Sequence, residues 1–140
     1  IADNVFIGHY NFLDASYGLT IDTGCQITNF VSIITHSSHI SIRLYGKEYP
    51  HQKNLKGYIK GSVKIGAYTF AGPHSLIMPG TTIGKGCLIS SYSYVKGEFP
   101  DFSIIGGNPA KVIGDTRTLD KEYLDANPEL KTFYNEWANK

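Results

Sequence analysis

The sequence predicts an all-β solenoid, a parallel β-helix of six-residue repeats, and three observations in residues 59–100 predict it. Stepping by six from Ile59 gives Ile65, Ala71, Ile77, Ile83, Ile89 and Val95, and every one of these positions is aliphatic. One residue further on, the register repeatedly reads glycine, at Gly66, Gly72 and Gly84. Four residues on, it reads Val63, Thr69, Ser75, Thr81, Cys87, Ser93 and Phe99, small or β-branched in all but the last. A six-residue step turns a 3.6-residue helix onto its opposite face, so a helix cannot use this pattern. Short strands joined by tight turns can: the aliphatic and small residues point inward, and glycine permits φ > 0 at the bend.

The same step is present from the first residue. Ile1, Ile7, Leu13 and Leu19 keep it, and the register then slips by two near Tyr17 and Gly18, a pair suited to a turn or bulge. It resumes as Ile21, Ile27 and Ile33. Three hexads make one turn of a three-sided coil, so residues 1–36 supply about two coils and residues 59–100 slightly more than two. Between them, residues 37–58 keep no register and form a protruding loop; a loop of this length in a compact domain is more often functional than incidental. The hexads stop after Pro100, and Asp101 to Gly114 reads as a Gly- and Pro-containing tail with a short apolar strand on either side. The division expected is a coil domain over 1–114, loop included, and a helical extension over 115–140. In the extension Asn127 is placed to cap, Pro128 suits the first helical position, and Leu130, Phe133, Tyr134 and Trp137 form one apolar stripe. That stripe needs a partner, either the flank of the coil or another subunit.

Composition narrows the function classes. A chain of 140 residues is normally one domain, and its 41% apolar content suffices for a narrow continuous core. A net charge of +1 gives no reason to expect nucleic acid or a membrane surface as partner. No apolar run reaches transmembrane length and no signal peptide is in view, so a cytoplasmic setting is the expectation, although Ile1 in place of Met implies that something upstream was removed or omitted. Cys25 and Cys87 each follow a register isoleucine by four residues, which predicts buried structural thiols and no disulfide.

Three stretches carry a family resemblance over about residues 4–114. Ile34-Thr35-His36 ends a coil and is followed by His39, Arg43 and the loop. The run IGAYTFAGPHSLIMPGTTIGKGCLIS holds an IG-aromatic-G pattern and a P-G-x-T-I-G turn. Val95-Lys96-Gly97-Glu98-Phe99-Pro100 leads into Gly106-Gly107-Asn108-Pro109-Ala110-Lys111. In this order they resemble the hexapeptide-repeat acyltransferases, and within them the galactoside and maltose acetyltransferases. The resemblance implies a left-handed coil, a homotrimer with active sites between neighbouring subunits, acetyl-CoA as acyl donor and no metal. It also implies a sugar or nucleotide-sugar acceptor and a role in cell-surface polysaccharide or nucleotide-sugar metabolism. Handedness comes from the resemblance alone, since it runs against the general right-handed preference of parallel crossovers.

His36 is the residue expected to act as general base, because deprotonating a sugar hydroxyl calls for a group that titrates near neutrality. No enzyme nucleophile is required, and a backbone N–H near Gly72 or Ser90 is a candidate for holding the oxyanion. For the acceptor the candidates are Asp14, which either binds a hydroxyl or orients His36, together with His39 and Arg43. His9, His51 and His74 read as surface or turn residues. Gly72, Ser91, Lys96 and Lys111 align with the family's donor-binding positions, the lysines suiting nucleotide phosphates as point charges. Two departures from the family stand out: Ser90-Ser91 where Gly or Ala is usual, and Phe70 where many members have Trp. Two other readings remain, a γ-class carbonic anhydrase with three imidazoles on zinc and a non-catalytic binding solenoid. The first wants two histidines five apart, whereas His36 and His39 are three apart.

Overall fold

The computed structural model describes residues 1–140. In chain order the first strands are β1 (Phe6–Ile7), β2 (Phe12–Leu13), β3 (Leu19–Ile21), β4 (Gln26–Ile27), β5 (Ser32–Ile33) and β6 (His36–Ser37). The excursion that follows holds a short helix α1 (Ser41–Tyr45) and a 3₁₀ turn over Gly46–His51. The chain returns through β7 (Ile59–Lys60), β8 (Val63–Ile65), β9 (Phe70–Ala71), β10 (Leu76–Ile77), β11 (Thr82–Ile83) and β12 (Leu88–Ile89). It ends with β13 (Tyr94–Val95), β14 (Glu98–Phe99), β15 (Ser103–Gly107), β16 (Ala110–Asp115), α2 (Thr116–Ala126) and α3 (Lys131–Ala138).

Three sheets organise these strands: β1-β4-β9-β12-β15-β16, β13-β10-β5-β2 and β14-β11-β8-β3. The chain visits the three sheets in rotation, and only β15 with β16 and β6 with β7 pair antiparallel. The result is a three-sided stack of parallel coils. Ile21, Ile27, Ile33, Ile65, Ala71, Ile77, Ile83, Ile89 and Val95 line its axis at 0–2% exposure. Each buried isoleucine contributes about 1.5–3 kcal/mol, so this one column is the main source of stability. Several of the small residues between them are polar, and none of their side chains is left unpaired. The hydroxyls of Ser75, Thr81, Ser93 and Ser103 each donate to the carbonyl three residues back, at Gly72, Met78, Ser90 and Pro100. Cys25 and Cys87 are free and buried, and burial pushes both thiols up.

The structure revises four expectations. Gly66, Gly72 and Gly84 are not at positive φ; a Cβ on each would stand 2.6, 2.6 and 2.4 Å from backbone atoms of the next coil. Close stacking, not a bend, demands glycine there. Ile1 and Ile7 are 69% and 38% exposed, because the first coil has a neighbour on one side only. The coil also runs one strand past Pro100: β15 pairs parallel to β12, and Ile105 is fully buried opposite Ile89. Sixteen residues separate that pair where eighteen separate Ala71 from Ile89, so the hexad step hides it. Finally, Asn127 does not cap α3; its amide donates to the Tyr123 carbonyl at the end of α2, which is itself capped by Asp115 accepting from the Arg117 N–H.

Of the extension's apolar stripe only Trp137 meets the coil's flank, with Tyr134 packed on it, while Leu130 and Phe133 stay 41% and 68% exposed. Tyr68 and Phe102 hold left-handed backbone at one corner of successive coils, with Gly86 in the equivalent place between them. A side chain on Gly86 would meet both the Phe102 ring and Trp137. Trp137 of α3 fills that gap, 4.6 Å from the Tyr68 ring centre and 5.8 Å from that of Phe102. Lys85 completes the docking by donating to the last carbonyls of α3, at Ala138 (2.9 Å) and Trp137 (3.4 Å).

Candidate active site

The first coil is two residues longer than the later ones: twenty residues separate Leu13 from its ladder partner Ile33, against eighteen between Ile77 and Val95. The extra length falls at Asp14–Gly18, where the Gly18 N–H closes a turn on Ala15 and Gly18 adopts φ +100°. This turn folds the Asp14 side chain inward, leaving it buried beside the next coil. Its Oδ2 accepts from the Thr35 N–H (2.8 Å) and hydroxyl (2.7 Å), and its Oδ1 from the Ser16 N–H (2.9 Å). Burial opposes its ionisation, but those bonds from Ser16 and Thr35 prevail and hold the carboxyl well below the usual carboxylate range.

The ring of His36 stands against this carboxylate, its Nδ1 2.7 Å from Asp14 Oδ2. Nδ1 is buried and its N–H is not in line with the oxygen, so the contact is a close charge–dipole approach, not a straight hydrogen bond. An ionised carboxylate there favours the proton on Nδ1 and leaves Nε2 with its lone pair. The His36 side chain is 38% exposed, so the ring is not sealed off from solvent.

Two tyrosines frame the ring. Tyr17, from the same extra turn as Asp14, meets it edge-on at 5.7 Å, and Tyr58 stacks on it at 5.8 Å with planes 16° apart. Burial, then the neighbouring Tyr17 and Tyr49, push the Tyr58 phenol up, so it stays a neutral donor. Lys60 faces His36 across the β6–β7 ladder, with its ammonium 5.0 Å from the Tyr17 ring centre. Tyr17, Tyr58 and Lys60 line a cleft of about 190 Å³ with Gln52, Asn54 and Leu55 of the excursion. A larger groove of about 590 Å³ lies between α2, α3 and Tyr68, but it holds none of the residues around His36. Size alone therefore does not choose the site; the His36–Asp14 pair does.

The excursion is more ordered than a bare loop. It opens and closes with the β6–β7 ladder, and the Tyr45 hydroxyl accepts from the Lys56 N–H at 2.8 Å. His39 and Arg43 are tied to it and lie outside the cleft: His39 Nδ1 bonds the Ser37 hydroxyl, and the Arg43 guanidinium donates to the His39 carbonyl.

The residues assigned to the donor divide between two edges of the second sheet. Ile34, Met78 and Lys96 each follow a paired residue in one ladder (Ile33, Ile77, Val95), as Asp14 follows Leu13, so Lys96 shares a corner with His36. It sits two coils beyond Ile34, about 10 Å along the axis. Gly72 and Ser91 occupy the other edge, and Lys111 joins them there through its pairing with Gly106 in the terminal hairpin. The N–H groups of Gly72 and Ser90 themselves are engaged, Gly72 donating to Ile89 and Ser90 to Ile105. His74 is one rung of an exposed aromatic column, Tyr10–Phe30–His74–Tyr92, whose ring centres are 4.8–5.1 Å apart. All four residues have φ near +60°, and the stacking offsets that backbone cost.

Sequence reasoning missed Tyr17, Tyr58 and Lys60 as site residues. The signal for Tyr17 was the register slip, which marked an insertion without saying what it turned toward. Tyr58 and Lys60 become neighbours of His36 only through the antiparallel ladder at the neck of the excursion. No group of three or more His, Cys, Asp or Glu side chains is gathered to hold a metal within the chain.

Comparison with known proteins follows the same lines. Residues 62–97 match the bacterial transferase hexapeptide pattern of six repeats. Protein CapG of Staphylococcus aureus is 35% identical over 121 residues, which span 86% of this chain and 66% of CapG. Galactoside acetyltransferase in complex with coenzyme A superposes with a TM-score of 0.51 at 26% identity, over 85% of this chain and 58% of that one. A maltose O-acetyltransferase from Clostridium difficile 630 superposes at 0.60 with 24% identity, over 81% of this chain and 59% of its own, a likeness of fold. The chain spans between a fifth and two thirds of the length of the curated relatives it matches first.

Proposed function

We propose that this chain, which belongs to the hexapeptide-repeat acyltransferases, moves an acetyl group from acetyl-CoA to a hydroxyl or amine of a sugar, with His36 as general base. The observation that carries this reading is the half-exposed His36 ring set against the buried, ionised Asp14. In the proposed reaction Nε2 of His36 removes the proton of the acceptor hydroxyl as its oxygen attacks the thioester carbonyl. The tetrahedral intermediate collapses, the C–S bond breaks, and the imidazolium returns the proton to the thiolate. Asp14 acts by fixing the ring and its tautomer and by stabilising the imidazolium, as the carboxylate of a catalytic triad does. It does not itself take the proton.

On this reading the coil is left-handed and three copies assemble so that each site lies between neighbours. The corner of His36 and Lys96 and the edge of Gly72, Ser91 and Lys111 then serve different parts of the donor. The acceptor is a sugar or nucleotide-sugar of a cytoplasmic pathway supplying cell-surface polysaccharide. An acetyl-transfer screen with acetyl-CoA across sugars and nucleotide sugars tests this: turnover of at least one is expected. No transfer to any sugar, together with no saturable stabilisation by acetyl-CoA, contradicts it.

A further inference from the structure

We propose that Lys60, held over the rings of Tyr17 and Tyr58, forms an anion-binding subsite that selects a negatively charged acceptor for His36. This rests on the acetyl-transfer reading and names the class of substrate it takes. Lys60 is the ladder partner of His36, and residues directly opposed in an antiparallel pair project to the same side. Its ammonium lies 5.0 Å from the centre of the Tyr17 ring and 5.7 Å from that of Tyr58, the two rings that also frame His36. Both ring faces attract the ammonium by cation–π interaction and favour its standing on this side of the cleft.

That charge is uncompensated. None of the chain's ion pairs involves Lys60, and the other lining residues of its cleft, Tyr17, Gln52, Asn54, Leu55 and Tyr58, include no acid. Asp14 lies behind His36 and is already engaged by Thr35, Ser16 and the imidazole. A neutral glycoside would leave a fixed ammonium without a counter-charge next to the reacting hydroxyl. A carboxylate or phosphate oxygen supplies one, and the amides of Gln52 and Asn54 offer further donors to it. A sugar acid and a nucleoside-diphosphate sugar share this chemistry; they differ in how far the charge lies from the reacting hydroxyl.

The test compares kcat/KM for neutral glycosides, uronic acids and nucleotide sugars in wild type, Lys60→Gln and Lys60→Arg. The acceptor of highest kcat/KM is expected to be anionic, with the uronic-acid and nucleotide-sugar arms showing which source supplies the charge. Lys60→Gln is expected to narrow the anionic-to-neutral ratio by about tenfold to a hundredfold, and Lys60→Arg to retain most of it. Raising salt should narrow the ratio in wild type, because Lys60 is exposed and screened. A neutral best acceptor, or equal losses on both classes in Lys60→Gln, overturns the inference while leaving acetyl transfer by His36 standing. Absence of transfer to every sugar in wild type instead overturns the reading beneath it, and this inference with it.

Discussion

Nδ1 of His36 stands 2.7 Å from Oδ2 of Asp14, across two coils that twenty residues of chain separate at the adjoining ladder pair Leu13–Ile33. The two residues are brought together by the extra turn at Asp14–Gly18 and by a carboxylate that Ser16 and Thr35 hold in place. Asp14→Asn keeps the shape of that group and removes its charge. Turnover is expected to fall by roughly one to three orders of magnitude, with acetyl-CoA affinity close to wild type, because the amide no longer sets the tautomer. Steady-state kinetics beside a donor titration check this; equal losses in both would make Asp14 a folding residue alone.

The same carboxylate gives a pH signature. Its folded value is depressed relative to an unfolded carboxyl near 3.9. The unfolded chain therefore binds this proton first as pH falls, and the stabilisation is complete above about pH 4 and lost progressively below it. Thermal melts from pH 6 to pH 2 should show a steeper acid limb in wild type than in Asp14→Asn. Parallel limbs would remove Asp14 as a source of the acid sensitivity.

Stacking glycines and bend glycines should respond differently to a methyl group. Gly72→Ala places a Cβ 2.6 Å from the Ile89 carbonyl and 2.9 Å from the Ser91 nitrogen, and backbone cannot step aside cheaply. A loss of about 2–4 kcal/mol is expected from denaturant unfolding. Gly80→Ala has open space around it and only a φ of +80° to accommodate, so about 1 kcal/mol is expected there. The reverse order would contradict the stacking account.

Trp137 is the chain's one tryptophan, so its fluorescence reports the docking of α3 directly. Lys85→Met removes the donor that caps the carbonyls of that helix, and emission should shift to the red as the ring leaves Tyr68 and Phe102. Acetyl transfer should change little, since none of these groups touches His36 or lines the cleft beside it. An unshifted spectrum would show that ring packing alone holds the helix.

How much of this was legible beforehand follows from the range of each signal. Hexad positions such as Ile77 and Ile89 were readable because every coil repeats the same demand on them, and the structure buries them fully. The free, buried state of Cys25 and Cys87 was readable for the same reason. Ile105 was not, because a corner shortened by two residues broke the step it depends on. The glycine column was visible but its cause was not, since close approach to the next coil is a contact between residues seventeen to nineteen apart. At the site, Asp14 beside His36 was within reach as one of two readings. Lys60 was not, because an antiparallel ladder at the neck of an excursion leaves no period in the sequence.

The excursion supplies four of the cleft's six lining residues, Gln52, Asn54, Leu55 and Tyr58. Replacing residues 40–55 by a short Gly/Ser linker should leave acetyl-CoA binding intact and cause a large loss in kcat/KM for the acceptor. Loss of donor binding with acceptor affinity spared would reverse the assignment of the two halves of the site.

The central claim is that His36 takes the acceptor's proton, and one measurement addresses it most directly: kcat and acetyl-CoA affinity of His36→Ala, measured on the same preparation. The account predicts turnover lower by roughly two to four orders of magnitude with donor affinity close to wild type. Near-normal turnover in that variant would contradict it.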